Sequence, residues 1–482
     1  MIHRHSIAVL ILLLPGAAGL AIPSAPVAKS AAPGRQIDQL VSAFEKASTG
    51  LIGISIVDLR TGKTIYAHCD EKVFIPASNQ KLLTSAFALE RLGGDFQFTT
   101  TVYSLGEDLV ITGRYDPLLG DPVLAAKENA SIYREPDRWA EAVKRKFTRR
   151  VKGDLICCVR KAPSVFHHPD WPARHRTKWY GAPVAELNFH NNCFDVTFVK
   201  KDDRITPRVS PASRFIRVVD KTRTGPKHLW GLKSSSDDSV VTVSGKVSSV
   251  APDPISVPVS SPPMLLGRVL ADRLVRKGVT LGGTIRLVDR AKIDLRGAKV
   301  LAVTKTPFSK VLERANKHSL NMVAECLLLR AGDGTFAGSA KAMRETLIRT
   351  FSLDEQGLSV SDGSGLSRKN RVSPKNLTKL LTALTRRKDG AMFLASLPRA
   401  GEPRTSLRKR LRREPYRGRV AGKTGTIAGV RALSGYILDK SDRPVFAFSI
   451  LANNLRGKAV WNAKNLQNQI CALLIEQLAE KK

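Results

Sequence analysis

The sequence predicts a mixed α/β (α+β) fold in which an antiparallel sheet is flanked by helices and interrupted by a large β-rich insert. Two extended runs on either side of residues 60–63 form a hairpin near the N-terminus. Two more extended runs, at 432–438 and 444–452, lie near the C-terminus, and all four runs can join in one sheet. Between about 101 and 300, short β-rich runs alternate with Pro, Ser and Asp turns.

Helical patterns cover much of the remaining chain. The clearest begins at Ser78, a good N-cap residue type, and continues with apolar residues at helical spacing until Gly93. After residue 300 the helical segments become longer. The other predicted helices are at 36–46, 263–277, 307–317, 321–331, 373–387 and 458–480.

The N-terminus has the pattern of an export signal. Basic residues precede the apolar run 7–14, and small residues around Ala21 offer a cleavage site. The run is short for a membrane-spanning helix, so we expect an exported mature chain, without a transmembrane segment, in the periplasm or cell-wall space. The predicted parts are a signal peptide (1–21), a flexible lead-in (22–36), a main domain in two pieces (37–100 and 301–482) and a β-rich insert of one or two modules (101–300).

The chain of 482 residues carries a net charge of +36, which favours contact with a polyanion. Residues 401–420 concentrate this excess, with eight basic and two acidic side chains. Export argues against nucleic acid, and no basic motif with interleaved aromatic residues is present. An anionic wall or lipid polymer is therefore the expected partner, and a solvated, solubilising surface is the alternative.

The number and spacing of the cysteines and histidines do not define a disulfide framework or a metal site. Six cysteines in an exported chain allow 15 pairings, and the sequence does not choose among them. Cys326 and Cys471 fall in apolar helical patterns and are predicted to be buried. Three histidines and an aspartate cluster at 167–175, but their spacing matches no standard site, so we predict no metal and no cofactor.

An S-x-x-K motif, Ser78–Lys81, stands at the start of the predicted helix. Residues three apart share a helix face, which would place the Lys81 amine near the Ser78 hydroxyl. A buried lysine whose pKa is lowered can be the base that a hydroxyl nucleophile needs. The motif recurs at 406–409 in an arginine-rich run, so the motif alone is weak evidence. Taken by itself, Ser78–Lys81 is better explained by a capped helix with a solvated lysine.

Two further motifs follow in a characteristic order. The S-x-N motif occurs once, at 319–321, between two predicted helices, and the K-T-G motif occurs once, at 423–425, leading into an extended run. This order is typical of penicillin-binding proteins and class A β-lactamases. The surrounding segments SLNMVAECLLLRAG, DGSGLSRKNRVSPKNLTKLL and GKTGTIAGVRALSGYI closely resemble the class C low-molecular-weight penicillin-binding proteins, the D-alanyl-D-alanine carboxypeptidase/endopeptidase family. The resemblance covers nearly the whole mature chain, and the 241-residue gap between Ser78 and Ser319 fits the large insert of that family.

The resemblance implies a penicillin-binding/β-lactamase-like catalytic domain and an exported serine DD-peptidase. Its substrates would be peptidoglycan stem peptides ending in two D-alanines, and β-lactams would be inhibitors. Ser78 would be the nucleophile, and Lys81 would take its proton. Ser319, helped by Lys423, would pass that proton to the leaving amine, and Asn321 would hold Lys81 and the substrate amide.

The resemblance also assigns substrate contacts to the K-T-G-T segment. Lys423, Thr424 and Thr426 would bind the terminal carboxylate of the substrate. Gly425 would let the substrate backbone lie against the strand. The backbone N–H groups of Ser78 and Thr426 would form the oxyanion hole.

One element of the family differs here. The family insert carries an Asp-Ser-x-Phe element near the peptide side chain, and the matching segment, 159–168, keeps Ser164 and Phe166 but lacks the acid. Asp362, in a Gly-rich segment, is predicted to shape a turn beside the site.

A β-lactamase and a catalytically idle, basic wall-binding protein are the alternative functions.

Overall fold

The computed structural model describes residues 33–160, 166–202 and 204–480. The predicted signal peptide and residues 22–32 of the predicted lead-in lie outside the described residues, as does Ser164. In the part of the chain that the structure describes, no helix has the length and apolar character needed to cross a membrane.

Eleven α-helices and twenty strands are found in the described residues. The helices are α1 (Pro33–Lys46), α2 (Gln80–Leu92), α3 (Pro122–Lys127), α4 (Arg134–Phe147), α5 (Pro262–Arg276), α6 (Phe308–Lys317), α7 (Asn321–Ala331), α8 (Phe336–Phe351), α9 (Pro374–Thr385), α10 (Gly390–Ser396) and α11 (Ala459–Glu480). The strands are β1 (Leu51–Asp58), β2 (Thr64–His68), β3 (Gln97–Leu105), β4 (Asp108–Gly113), β5 (Arg150–Val151), β6 (Leu155–Val159), β7 (Cys193–Lys201), β8 (Arg204–Ser210), β9 (Arg217–Thr224), β10 (Leu229–Ser234), β11 (Val240–Val247), β12 (Ala251–Pro258), β13 (Thr280–Leu281), β14 (Ile285–Asp289), β15 (Lys299–Pro307), β16 (Leu358–Ser359), β17 (Arg371–Val372), β18 (Val420–Ile427), β19 (Val430–Leu438) and β20 (Pro444–Asn453).

One antiparallel sheet, in the order β18-β19-β20-β1-β2, combines the two ends of the chain. This confirms the prediction that the N-terminal hairpin joins the C-terminal strands. The central strands are buried on both faces, which accounts for the apolar sequence of β20. Long-range pairing of this kind brings β18, which carries the K-T-G motif, beside the turn that precedes α2.

Helices cover both faces of this sheet, as the predicted fold class requires. On one face α2, α7 and α9 share a core that includes Leu82, Leu327 and Leu381. On the other face α1 and α11 pack their apolar residues, including Ile470, against Ile54 and other sheet residues. Successive residues of β1 alternate between the two cores because strand side chains have a period of two.

The insert is attached through β3 and β15, which pair with each other along their lengths. These two strands belong to a second sheet, β14-β6-β4-β3-β15, and α4 and α5 pack with it around a separate core. The other sheets among the described residues between 101 and 300 are two three-stranded sheets, β10-β11-β9 and β12-β7-β8, and the two-stranded pair β13-β5. The sequence analysis did not identify α4, because its apolar stripe is narrow and its remaining residues are mostly charged.

The described cysteines are all free thiols. Cys326 and Cys471 are fully buried, as predicted from their positions in apolar helical patterns. Cys157 and Cys158, which are adjacent in β6, lie in different apolar clusters because successive residues of a strand point to opposite faces.

Candidate active site

Ser78 lies in a 3₁₀ turn, Ala77–Asn79, that leads directly into α2. The prediction that Ser78 caps the helix is wrong, because neither the turn nor α2 has a side-chain cap at its start. Ala77 is held at a φ of +47°, in the left-handed region that a residue with a side chain rarely adopts. The hydroxyl of Ser78 is therefore available to Lys81.

Lys81, in the first turn of α2, is fully buried and has three hydrogen-bond partners. Its Nζ is 2.7 Å from Asn321 Oδ1, 2.8 Å from the Ser364 carbonyl oxygen and 3.2 Å from Ser78 Oγ. Burial lowers the pKa of Lys81 to about 7, and the nearby carboxylates of Asp362 and Glu325 oppose this shift. The solvated lysine of the alternative interpretation is not found.

The S-x-N motif lies across the cleft from this turn. Ser319 precedes α7 and has a φ of +59°, so the backbone is strained where the chain turns into the helix. Asn321, the first residue of α7, accepts from Lys81 and donates through Nδ2 to the Tyr180 carbonyl oxygen at 2.8 Å. Its amide thus connects the lysine of α2 to the insert.

The K-T-G-T segment belongs to the edge strand β18. Lys423 is fully buried, and its Nζ donates to Ser319 Oγ at 2.8 Å and to the Thr424 carbonyl oxygen at 3.1 Å. Burial and the positive charge of Lys81 lower the pKa of Lys423 well below its ordinary value. Thr424 and Thr426 line the cleft together with Ser78, Ser319 and Asn321.

Gly425 faces the turn that carries the nucleophile. A Cβ at this position would lie 2.6 Å from the Pro76 carbonyl oxygen, 2.9 Å from Ala432 Cβ and 3.2 Å from Ala77 Cβ. The absence of a side chain at Gly425 therefore lets the Ser78 turn approach β18. The sequence analysis did not identify this role.

Glu325 and Ser364, beside Lys81, were not identified as site residues from the sequence. Glu325, one helical turn after Asn321 in α7, accepts from the backbone N–H groups of Gly363 and Ser364 at 3.0 and 2.7 Å. This contact holds the Ser364 carbonyl that accepts from Lys81. Burial, with the nearby Asp362 carboxylate, raises the pKa of Glu325 to about 8. The i,i+4 spacing of Asn321 and Glu325 was the available signal.

Asp362 shapes the turn beside the site, as expected. Its carboxylate accepts from the backbone N–H groups of Gly365 and Ser367 at 2.7 and 2.6 Å, and from the side chains of Asn370 and Trp171. The Ser364 hydroxyl is a fifth donor, at 3.4 Å. These donors occupy the lone pairs of the carboxylate, so Asp362 fixes the loop and does not face the cleft as a base.

The open side of the cleft is formed partly by the insert, through Arg174, His175, Trp179 and Tyr180. The cleft has a volume of about 480 Å³, enough for a short peptide. Trp179 is 49% exposed, so it does not pack in a core. None of these four side chains was assigned to the cleft from the sequence, because the motifs give no contact between the insert and the site. His175 was considered only as a possible metal ligand.

The histidine and aspartate cluster at 167–175 divides in three dimensions, since His168 and Asp170 stay in contact while His175 lines the cleft. His168 contacts the Ser361 carbonyl oxygen through Nε2, and Asp170 forms an ion pair with Lys369. His175 lines the cleft. Among the described residues no group of three metal-ligating side chains converges.

Comparison with known proteins identifies the family. The family model for the D-Ala-D-Ala carboxypeptidase 3 (S13) family matches residues 34–477. This protein belongs to that family. A D-alanyl-D-alanine carboxypeptidase of Actinomadura sp. (strain R39) is 30% identical over 437 residues, which cover 84% of this chain and 78% of the relative. The D-alanyl-D-alanine carboxypeptidase DacB of Haemophilus influenzae is 25% identical over 408 residues, covering 80% and 82% of the two chains.

Solved structures have the same fold. Penicillin binding protein 4 (dacB) of Haemophilus influenzae superimposes with a TM-score of 0.72 at 20% identity, covering 89% of this chain and 99% of that chain. A predatory endopeptidase of Bdellovibrio bacteriovorus superimposes with a TM-score of 0.52 at 14% identity, over 89% and 94% of the two chains. These likenesses confirm the predicted fold class, and the family confirms the predicted resemblance.

Proposed function

We propose that this S13 protein is a serine DD-peptidase that removes the terminal D-alanine from peptidoglycan stem peptides through an acyl-enzyme on Ser78. The observation that carries the proposal is the contact of Ser78 Oγ with Lys81 Nζ, at 3.2 Å, in the wall of a cleft that Ser78 and Ser319 both line. Behind this wall the buried Lys423 donates to Ser319 Oγ at 2.8 Å. A nucleophile, a buried base and a cation for the terminal carboxylate are the three parts that this reaction needs.

Lys81 is held so that the loss of one proton creates a base aimed at Ser78. An ammonium group has three donors, which match its three acceptors, and a neutral amine has two donors and one lone pair. The Asn321 and Ser364 oxygens, at 2.7 and 2.8 Å, keep the two donors, so the lone pair faces Ser78.

The bond changes then balance without a cofactor. Ser78 Oγ attacks the carbonyl carbon between the two D-alanines, and Lys81 accepts the hydroxyl proton. The C–N bond breaks, and the proton that Lys81 accepted passes through the hydroxyl of Ser319, which accepts from Lys423 at 2.8 Å, to the leaving amine. Lys81 is then neutral again. Water hydrolyses the ester, and a β-lactam remains at the acyl stage because its leaving group stays attached.

Substrate binding would also prepare the base. The terminal carboxylate, bound by Lys423, Thr424 and Thr426, favours the charged form of Lys423, since an opposite charge raises the pKa of an amine. The positive charges of Lys423 and Lys81 disfavour each other. A charged Lys423 therefore favours the neutral amine of Lys81, which is the form that activates Ser78.

Acylation is expected to slow below about pH 7. Since the pKa of Lys81 is about 7, its neutral fraction is nearly complete well above that pH and falls about tenfold per pH unit below it. The rate constant for acylation by a β-lactam, measured from about pH 5 to about pH 9, should follow that fraction. The control is His175→Gln, which removes an imidazole that lines the cleft and whose pKa is lowered by burial. If the acylation rate of this variant no longer fell at low pH, the pH dependence would belong to His175, and the role of Lys81 would be contradicted.

The proposal is tested by the release of D-alanine. The purified protein is incubated with a stem pentapeptide ending in D-Ala-D-Ala and, separately, with the same peptide ending in L-Ala-L-Ala. We expect D-alanine from the first peptide only. A folded protein that releases none, and that instead turns over penicillin continuously, would be a β-lactamase. One that does neither would fit the idle wall-binding alternative.

We also propose that the protein acts in the periplasm or cell-wall space, where its substrate is located, and that its positive charge favours contact with an anionic polymer or lipid. Endopeptidase action on D-alanine cross-links would use the same nucleophile, since the bond attacked also follows a D-alanine. The insert residues at the cleft, Arg174 to Tyr180, would then contact what lies beyond that bond.

A further inference from the structure

A strongly basic surface with one exposed aromatic side chain lies on the side of the β18-β19-β20-β1-β2 sheet that α11 covers. It consists of the loop 404–417 and the N-terminal half of α11. The exposed cations of the loop are Arg404, Arg408, Lys409, Arg412, Arg413 and Arg417. Two further exposed cations are Lys458, directly before α11, and Lys464, within it. We call these cations, together with Trp461, the basic-aromatic face.

The loop is fixed to the protein by buried anchors. Leu407 is 1% exposed and packs with the core under α11. The guanidinium of Arg410, also buried, donates to Asn468 Oδ1 at 2.8 Å, to Gln467 Oε1 at 3.1 Å and to the Lys464 carbonyl oxygen at 3.3 Å. The cations between these anchors are therefore displayed by an ordered loop that follows the helix.

The helix continues the same surface. Trp461, Lys464 and Asn468 have the i, i+3, i+7 spacing of one helix face, and Asn468 is the residue that Arg410 contacts. Lys464 has its pKa lowered by burial, and the charges of Arg410 and Lys409 contribute to the shift. These lysines are therefore close enough to repel each other, which is costly without an external anion.

The charge of this face is not neutralised within the described residues. None of the exposed cations named above takes part in an ion pair there, and of the two acids in 401–420, Glu402 is paired with Lys317. The sequence has no acidic residue between Asp442 and Glu476, a range that includes most of α11. Trp461, at the edge of this positive surface, is 66% exposed, more than any other tryptophan of the chain.

We propose that the basic-aromatic face docks the protein onto the surface of an anionic phospholipid bilayer. Unpaired lysines and arginines match the negative headgroups. An exposed indole among them can enter the boundary between headgroups and acyl chains, where tryptophan is favoured. A soluble anionic polymer would satisfy the cations but offers no apolar medium to the indole, so Trp461 favours the bilayer. Docking through α11 would turn the α2 side of the sheet, which carries Lys81, away from the lipid.

The test is partitioning onto vesicles of phosphatidylcholine alone and of equal parts phosphatidylcholine and phosphatidylglycerol. The wild-type chain should bind only the anionic vesicles. Neutralising three loop cations, in R408Q/K409Q/R412Q, should lower the partition coefficient on the order of 100-fold, about fivefold for each cation. The matched control is K144Q/R145Q/K146Q, which removes the same charge from exposed positions of α4 and should lower it far less.

The indole is tested separately. Trp461→Ala should lower partitioning on the order of tenfold, since an apolar side chain no longer leaves water. Leu229→Ala, at an equally exposed residue (66%) of the insert, should leave it unchanged. Equal losses in the two charge variants, or no loss in Trp461→Ala, would overturn the proposal. No loss in Trp461→Ala would indicate that the basic-aromatic face binds an anionic polymer.

The thermal unfolding midpoint of each variant serves as the folding check. Vesicle binding needs no catalysis, so this proposal and the proposed peptidase activity can fail independently.

Discussion

Replacing Ser78 with alanine is expected to abolish covalent labelling by β-lactams and the release of D-alanine. The hydroxyl is the atom that would form the acyl bond, and the fully buried Lys81 has no other hydroxyl partner among its three contacts. Loss of the nucleophile of a serine peptidase costs on the order of 10⁶-fold in kcat. The measurement is the intact mass of the protein after incubation with penicillin, together with D-alanine release.

The chain supplies a matched control for this experiment. Ser406 is three residues before Lys409, so the pair repeats the S-x-x-K motif, but both lie in the loop that packs on α11. Ser406→Ala should form the same single adduct as the wild type. An adduct that persisted in Ser78→Ala would place the acylated residue elsewhere and remove the basis of the proposed function.

Gly425→Ala is expected to slow acylation on the order of 100-fold while the protein stays folded. The new methyl would lie 2.6 Å from the Pro76 carbonyl oxygen and 3.2 Å from Ala77 Cβ, both in the backbone segment that positions Ser78. Backbone cannot yield as the end of a flexible side chain can, so β18 and the Ser78 turn must separate. A displacement near 1 Å in a catalytic constellation costs about 10²-fold in rate. The second-order rate constant for acylation measures the effect.

Gly231→Ala is the control for a glycine-to-alanine change in a strand. Gly231 lies in β10 of the insert, and a Cβ there would have no atom within 4 Å. This variant should acylate at the wild-type rate, with an unfolding midpoint close to that of the wild type. If Gly425→Ala were acylated at the wild-type rate, β18 and the Ser78 turn could separate without loss of activity. The close approach at Gly425 would then have no role in catalysis.

The three motifs could be identified from the sequence because each is local. Ser78 and Lys81 are one helical turn apart, and Ser319 and Asn321 span a helix start, so their spacing alone predicts shared geometry. The hairpin and the C-terminal strands were also predictable, since apolar, β-branched runs bounded by turns define strands locally.

Other features depend on contacts between distant segments. The Ser364 carbonyl that holds Lys81 is positioned by Glu325, and the approach of Gly425 to Pro76 joins the two ends of the chain. Sequence patterns report which face of an element is buried, but not which segment covers it. The charged helix α4 was missed for a related reason, because its few apolar residues become a core stripe only against the insert sheet.

The sequence by itself determined the order of the motifs, the antiparallel sheet and the family resemblance, and it predicted Ser78 as the nucleophile. The tertiary structure alone decided that Ser78 stands in a 3₁₀ turn, that Lys81 and Lys423 are both buried, and that Tyr180 of the insert meets Asn321. The physical reason is burial. A lysine becomes a base near neutral pH only when distant segments close around it and exclude water, and that closure is a property of the folded chain.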